Sequence, residues 1–272
     1  VLSLPNVTTI TGGGHYGSIL NIQARWAGDV LLGSVTEIQE PDGGDNRQRA
    51  IQLLSQGADS QLDLSSLVSI SDVRGYSSSG DSQWSTMRAI TGGQILAPDL
   101  QQIQGLYVTV NGPSLQSMGQ LTTVNGGGLD ISGLDAVFPQ LTSAESASLA
   151  VRAVDANLSS LTSLVRSSVT LVDGGTAQLD GVSNLDGTSL YVYDGVTLSL
   201  PGVTSYSHVS TGNSQTRTLR AEGAGSVLSL PNVTTITGGG HYGSILNIQA
   251  RWAGDVLLGS VTEIQEPDGG DN

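Results

Sequence analysis

The first 46 residues of the chain recur, letter for letter, at its other end: Val1–Asn46 is repeated as Val227–Asn272. Residues 1–226 are therefore one full period, and residues 227–272 begin the next, identical period. Exact repetition at a fixed distance is typical of repeat proteins, in which each unit packs against the same kind of neighbour. We predict that residues 1–272 form one continuous repeat architecture.

A shorter repeat runs inside this period. Segments with the apolar spacing of Val1–Ile10 recur along the chain, and their central apolar residues follow one another at steps of 20 to 33 residues. Nine such steps span the 226-residue period, and the longer steps carry insertions. The central residues are Val7, Val35, Leu67, Leu100, Leu121, Leu141, Leu161, Val182, Val203 and Val233. We predict that they form one inward-facing ladder.

Each unit has a second apolar patch in which apolar and polar residues alternate, as at Leu20/Ile22 and Leu190/Val192. A period of two is the signature of a β-strand. The stretches 45–56 and 144–165 are rich in helix-forming residues, but their apolar positions stay in phase with neighbouring units. We therefore predict strands there too, with at most a short helical turn in the 32-residue unit.

A unit of about 20 residues cannot bury an apolar face alone, whereas stacked units close a narrow, continuous core. We predict an all-β fold, a right-handed parallel β-solenoid (β-helix) with about nine coils per period, spaced about 4.8 Å apart. The 37 glycines and the aromatic content of only 4% fit tight corners around such a core. Leu4, Val7 and Ile10 are spaced by three, which is compatible either with an arc or with a bent pair of strands.

Composition excludes several kinds of chemistry. All ten basic residues are Arg, 24 residues are acidic, and the formal charge is −14, which argues against nucleic acid as a partner. The sequence contains neither Lys nor Cys, so Schiff-base chemistry, thiolate nucleophiles and Cys-ligated zinc are excluded. No apolar run approaches 18 residues, so we predict no membrane insertion.

Clustered carboxylates mark one candidate metal site. Glu40, Asp42 and Asp45 lie on a glycine-containing turn, and carboxylate oxygens are the ligands that Ca²⁺ prefers. Calcium binding and a simple solvated turn both fit this pattern. Apart from calcium, we predict no cofactor.

Three further motifs have competing interpretations. Thr11–Gly17 contains a formal G-x-G-x-x-G, but residues 18–26 alternate as a strand does, so we interpret it as a coil corner and not as a dinucleotide site.

Tyr191 and Tyr193 flank Val192 and should face outward together, either as a surface for stacking sugars or as ordinary exposed aromatics. A column of Thr residues that includes Thr8 and Thr36 is interpreted as hydroxyls bonding along the stack, with an ice-binding array as the alternative.

The pattern L-x-L-P-x-V-T-x-I at Leu2–Ile10, with long identical tandem repeats, no Lys and an acidic balance, resembles giant bacterial surface proteins built from β-solenoid coils. The resemblance covers the whole chain. It implies a non-enzymatic fibre, stalk or adhesin shaft, located extracellularly or on the bacterial cell surface.

The partners that follow from this interpretation are further copies of the repeat, stacked end to end in cis or as a filament, and surface polysaccharide. The alternative is a β-helix protein that binds or degrades polysaccharide, in which acids and Arg of adjacent coils, such as Asp130, Arg152 and Asp155, would meet in a cleft.

Overall fold

The computed structural model describes residues 1–45, 47–73, 84–111, 118–208 and 212–267. Within these ranges the regular elements are all β-strands, and none is a helix. The chain divides into two compact units, Val1–Leu141 and Thr142–Asn272. In each unit, strands of three kinds follow one another along the chain: a short a strand, a short b strand and a longer c strand.

In the first unit, most strands pair in parallel with the strand of the same kind in the next coil, as in the ladder from Ile10 through Ile38 to Ile70. The a strands are β1 (Leu2–Ser3), β4 (Asp29–Leu31), β7 (Gln61–Asp63), β10 (Gln94–Leu96) and β15 (Ala136–Val137). The b strands are β2 (Thr9–Thr11), β5 (Glu37–Gln39), β8 (Ser69–Ser71), β11 (Gln102–Gln104) and β13 (Thr123–Asn125). The c strands are β3 (Ile19–Arg25), β6 (Ala50–Gln56), β9 (Ser85–Ile90), β12 (Leu106–Asn111) and β14 (Gly128–Ser132).

The second unit follows the same plan, with c strands joined in the order β17, β20, β22, β25, β28. The a strands are β18 (Asp155–Asn157), β21 (Thr176–Gln178), β23 (Thr197–Ser199), β26 (Val227–Ser229) and β29 (Asp255–Leu257). The b strands are β16 (Ser143–Glu145), β19 (Ser163–Val165), β24 (Ser205–Ser207), β27 (Thr235–Thr237) and β30 (Glu263–Gln265). The c strands are β17 (Ser148–Arg152), β20 (Ser168–Val172), β22 (Ser189–Tyr193), β25 (Thr216–Glu222) and β28 (Ile245–Arg251).

Parallel strands stacked coil on coil define a parallel β-solenoid, and the predicted fold class is confirmed. The two stretches with helix-forming residues contain strands, β6 in the first unit and β16 to β19 in the second. The residues after the G-x-G-x-x-G motif form β3, as the coil-corner interpretation requires.

The residues of the predicted apolar ladder lie in the core of each unit. Its members from Val35 to Val233 are fully buried, whereas Val7, in the first coil, is only partly buried because no coil covers it. The alternating positions of the c strands face the same core, and Leu53 and Met87 are partners in adjacent coils, both fully buried.

The spacing of three residues comes from a tight turn between the a and b strands. The N–H of Val7 donates to the carbonyl of Leu4 at 3.2 Å, and the N–H of Leu67 donates to that of Leu64 at 2.9 Å. Of the two alternatives, the bent pair of strands is therefore correct. The Thr column bonds along the stack, since the hydroxyl of Thr36 donates to the carbonyl of Thr8 at 3.2 Å.

Candidate functional site

The first coil leaves one side of the core open. Leu2 and Leu4 are 52% and 39% exposed, and they line an open apolar groove of about 450 Å³ together with Val7, Ile10 and Leu20. We call these five residues the end face. An open coil also carries unpaired backbone groups along its strands, which are a template for further strand pairing.

The same five positions are present a second time, in a different environment. Residues 227–251 repeat residues 1–25, so Leu228 and Leu230 correspond to Leu2 and Leu4. Both are fully buried. The identical sequence is thus open at the start of the chain and largely covered in the second unit.

The cover is the preceding coil, which ends the first period. Its a, b and c strands, β23, β24 and β25, pair in parallel with β26, β27 and β28. We call this pairing the repeat junction. Its apolar partners are Leu198 with Leu228, Tyr206 with Ile236, and Leu219 with Ile248. Within the second unit, the fold therefore continues from the coil near Leu198 into the coil near Leu228.

Tyr206 is the largest fully buried side chain at the repeat junction. Its phenol hydroxyl donates to the backbone carbonyl of Thr188 at 3.0 Å, so the polar end of the ring is satisfied inside the core. Burial raises the pKa of the Tyr206 phenol far above its usual value. The ring therefore contributes apolar surface without leaving an unsatisfied polar group.

The three acids of the predicted calcium turn lie in different environments. Glu40 is 4% exposed, and no group in the described residues donates a hydrogen bond to its carboxylate. Burial, reinforced by the negative charge of Asp72 and opposed by Arg49, raises the pKa of Glu40 to about 7. Gly12 makes room for this carboxylate, because a Cβ at that position would overlap it.

Asp45 is exposed and forms an ion pair with Arg47, whose Nη2 lies 2.6 Å from its Oδ2. Hydrogen bonds from the side chain and backbone of Arg47 lower the pKa of Asp45 to about 2. In the part of the chain that the structure describes, no three His, Asp or Glu side chains are grouped as a metal ion requires. Calcium binding by Glu40, Asp42 and Asp45 stays a prediction.

Tyr191 and Tyr193 lie on the outer face of the c strands, with parallel rings whose centroids are 6.5 Å apart. The guanidinium of Arg220 lies 5.6 Å from the centroid of the Tyr191 ring. Arg220 in turn donates to Gln249 at 2.9 Å and lies 3.4 Å from Glu222. Sequence reasoning missed these three polar neighbours, because they belong to later coils and only the strand register brings them to the tyrosines.

The acids and Arg proposed for a catalytic cleft are distributed over both units. Asp130 lies on β14 of the first unit, while Arg152 and Asp155 lie in the second. Asp155 accepts a hydrogen bond from the hydroxyl of Thr176 in the next coil.

In comparisons with protein-family models, with curated proteins and with solved structures, the chain has no match. The described residues contain no helix that is long and apolar enough to cross a membrane. Function is therefore assigned from the geometry of the chain itself.

Proposed function

We propose that the protein is a structural repeat of an extracellular fibre, stalk or adhesin shaft that lengthens by axial stacking of β-coils. The observation that carries this proposal is the repeat junction. The strands that end the first period pair with the strands that begin the second. The strands that begin the second period repeat the sequence of the first coil, which carries the end face. A preceding copy of the repeat is thus the occupant whose shape and register fit the end face.

Apolar burial makes this stacking favourable. Leu2 and Leu4 are exposed at the end face, whereas their counterparts Leu228 and Leu230 are buried under the coil that precedes them. Burying a leucine side chain contributes roughly 1.5–3 kcal/mol. Backbone hydrogen bonds across the repeat junction fix the register, for example from Leu200 N–H to the carbonyl of Ser229 at 3.0 Å and from Thr234 N–H to that of Thr204 at 2.9 Å.

The resemblance of the sequence to bacterial surface proteins supports an extracellular location for such an array. About nine coils at about 4.8 Å correspond to a rise of roughly 43 Å per repeat. The role requires no catalysis and no cofactor, since length is the property that the repeats supply.

Electron microscopy of proteins with one, two and three 226-residue periods tests the proposal. We expect particle length to grow by roughly 43 Å with each added period. Particles whose length does not grow in proportion to the number of periods would contradict the axial array.

A second experiment tests the repeat junction itself. Adding residues 197–226 in front of Val1 should cover the end face and raise the unfolding temperature of the chain. The matched control carries Leu198→Asp and Leu200→Asp in the added segment only, which places two charges against the end face. Equal unfolding temperatures for the extended protein and its control would show that the added coil does not stack.

A further inference from the structure

A groove on the outer face of the c strands in the first unit is separate from the end face. It has a volume of about 340 Å³ and contains side chains from β3, β6 and β9 together with Trp84. The strand register sets Gln23, Leu54 and Arg88 side by side on three successive coils. The polar and aromatic side chains that line it are Gln23, Arg25, Gln52, Trp84, Thr86 and Arg88.

The charge of this groove is opposite to that of the chain. The sequence has 24 acids and ten Arg, yet the described residues that line the groove include two Arg and no acid. Neither Arg25 nor Arg88 makes an ion pair or a side-chain hydrogen bond with any described residue. Their guanidinium groups are therefore available for an anion, and guanidinium binds carboxylate with two parallel hydrogen bonds.

Trp84 adds a flat apolar surface beside the two arginines. Its ring is 43% exposed, and its orientation is set by an edge-to-face contact with Tyr107, at 5.3 Å between centroids and an interplanar angle of 88°. Gln52 and Thr86 supply amide and hydroxyl groups nearby. A sugar ring that carries hydroxyls and a carboxylate requires an apolar face, hydrogen-bonding groups and a fixed positive charge, and this groove contains all three.

We propose that this groove binds one residue of an anionic polysaccharide, a uronic-acid chain, with the sugar packed on Trp84 and the carboxylate held by Arg25 and Arg88. The second unit repeats part of this chemistry, because Gln249 and Arg251 are the copies of Gln23 and Arg25. There the neighbouring strands carry Arg220, the parallel pair Tyr191 and Tyr193, and one acid, Glu222, which is the strand partner of Arg251. In a tandem array the groove recurs once per period, so weak single contacts add up along one chain of polysaccharide.

Binding to polygalacturonate, measured by isothermal titration calorimetry and by affinity electrophoresis, tests the proposal. Fully methyl-esterified polygalacturonate is the matched control ligand, because it keeps the sugar and removes the charge. We expect binding of the acidic form only, and weaker binding as salt is raised. Arg25→Gln and Arg88→Gln should each weaken binding about tenfold, and Trp84→Ala about fivefold.

Arg47→Gln is the matched control variant, because it removes the same charge from the turn at Asp45, outside the groove. It should bind polygalacturonate as the parent chain does. An equal loss in Arg47→Gln would show that net charge alone governs binding and would overturn the proposal. Equal affinity for the methyl-esterified polymer would overturn the role of the two arginines. Sedimentation of the Arg25 and Arg88 variants tests a different occupant. If these variants change self-association and leave sugar binding unchanged, the groove binds the acidic surface of a second copy, and the proposal is overturned.

Discussion

Glu40 is stacked on Asp72 in the adjacent coil: the backbone N–H of Glu40 donates to the carbonyl of Ser71 at 2.9 Å, and both acids directly follow paired b strands. Their residues are 4% and 2% exposed. The carboxylate of Asp72 accepts a hydrogen bond from the hydroxyl of Ser85. Burial disfavours the charged form of Glu40, and the negative charge of Asp72 beside it adds to this effect, so the pKa of Glu40 is raised.

Replacing Glu40 with Gln should remove a pH dependence of stability. The folded-state pKa of Glu40 is about 7, above its usual value of 4.5, so between these pH values the folded chain keeps a proton that the unfolded chain releases. The contribution of Glu40 to the free energy of unfolding is complete below pH 4.5 and is lost as the pH rises through 7. We expect Glu40→Gln to unfold at higher urea concentration than the parent at pH 8, with a difference of up to about 3 kcal/mol in the free energy of unfolding.

Glu266→Gln is the internal control for this prediction, because Glu266 is the copy of Glu40 and is exposed. Its urea unfolding should follow the parent curve at pH 5 and at pH 8. A Glu40→Gln variant with the parent's pH dependence would show that Glu40 does not titrate in the buried corner.

The apolar ladder should respond strongly to a charge. Leu67 is fully buried, so Leu67→Asp places a carboxylate without a partner in the core and should cost several kcal/mol of unfolding free energy. Val68→Asp adds the same charge at the next residue, which is exposed, and should cost less than about 1 kcal/mol. Thermal unfolding of the two variants compares them directly, and equal melting temperatures would contradict the register.

The hydroxyl of Tyr206 and its ring should contribute separately to the repeat junction. Tyr206→Phe removes only the donor to the Thr188 carbonyl and should cost about 1 kcal/mol. Tyr206→Ala also removes the buried ring and should cost about 3–5 kcal/mol. Chemical unfolding distinguishes the two, and a Tyr206→Ala variant as stable as the parent would mean that the ring does not pack at the junction.

Much of this fold could be predicted from the sequence, because the apolar ladder and the alternation of the c strands follow directly from burial. The turn between Leu4 and Val7 could not, since a spacing of three fits either an arc or a bend. The outward position of Tyr191 and Tyr193 follows from their places on either side of Val192. The groove at Arg88 was missed, because insertions of different length separate its coils and hide which residues become neighbours.

Left-handed corner residues are another feature that sequence patterns do not indicate. Ala153 follows a c strand with a φ of 57°, a region in which a Cβ is strained by roughly 1–2 kcal/mol. Ala153→Gly should therefore raise the unfolding free energy by about 1 kcal/mol. Ala150→Gly, inside the preceding strand, should lower it, so that differential scanning calorimetry should find shifts of opposite sign. Shifts of the same sign would contradict the assigned corner.

Calcium should have at most a small effect on the turn at Asp42 and Asp45. Glu40 is buried and Asp45 already pairs with Arg47, so few carboxylate oxygens are free for an ion. At millimolar calcium we expect the melting temperature to rise by only about 1 °C, as for a weak site. Asp42→Asn should abolish that rise, and a parent melting temperature that calcium leaves unchanged would exclude the site.

The hydrogen bonds that join successive coils lie along the stacking direction, as the bond from Leu32 N–H to the Asp63 carbonyl at 2.9 Å illustrates. Tension along that direction therefore pulls coils apart one at a time. The chain between Leu2 and its partner Val30 is 28 residues long and extends to roughly 95 Å when a coil is released. Each released coil thus lengthens the chain about twentyfold relative to its spacing of about 4.8 Å in the stack. In the proposed fibre, we expect single coils to unwind at the ends under mechanical load, while the remaining coils keep their structure.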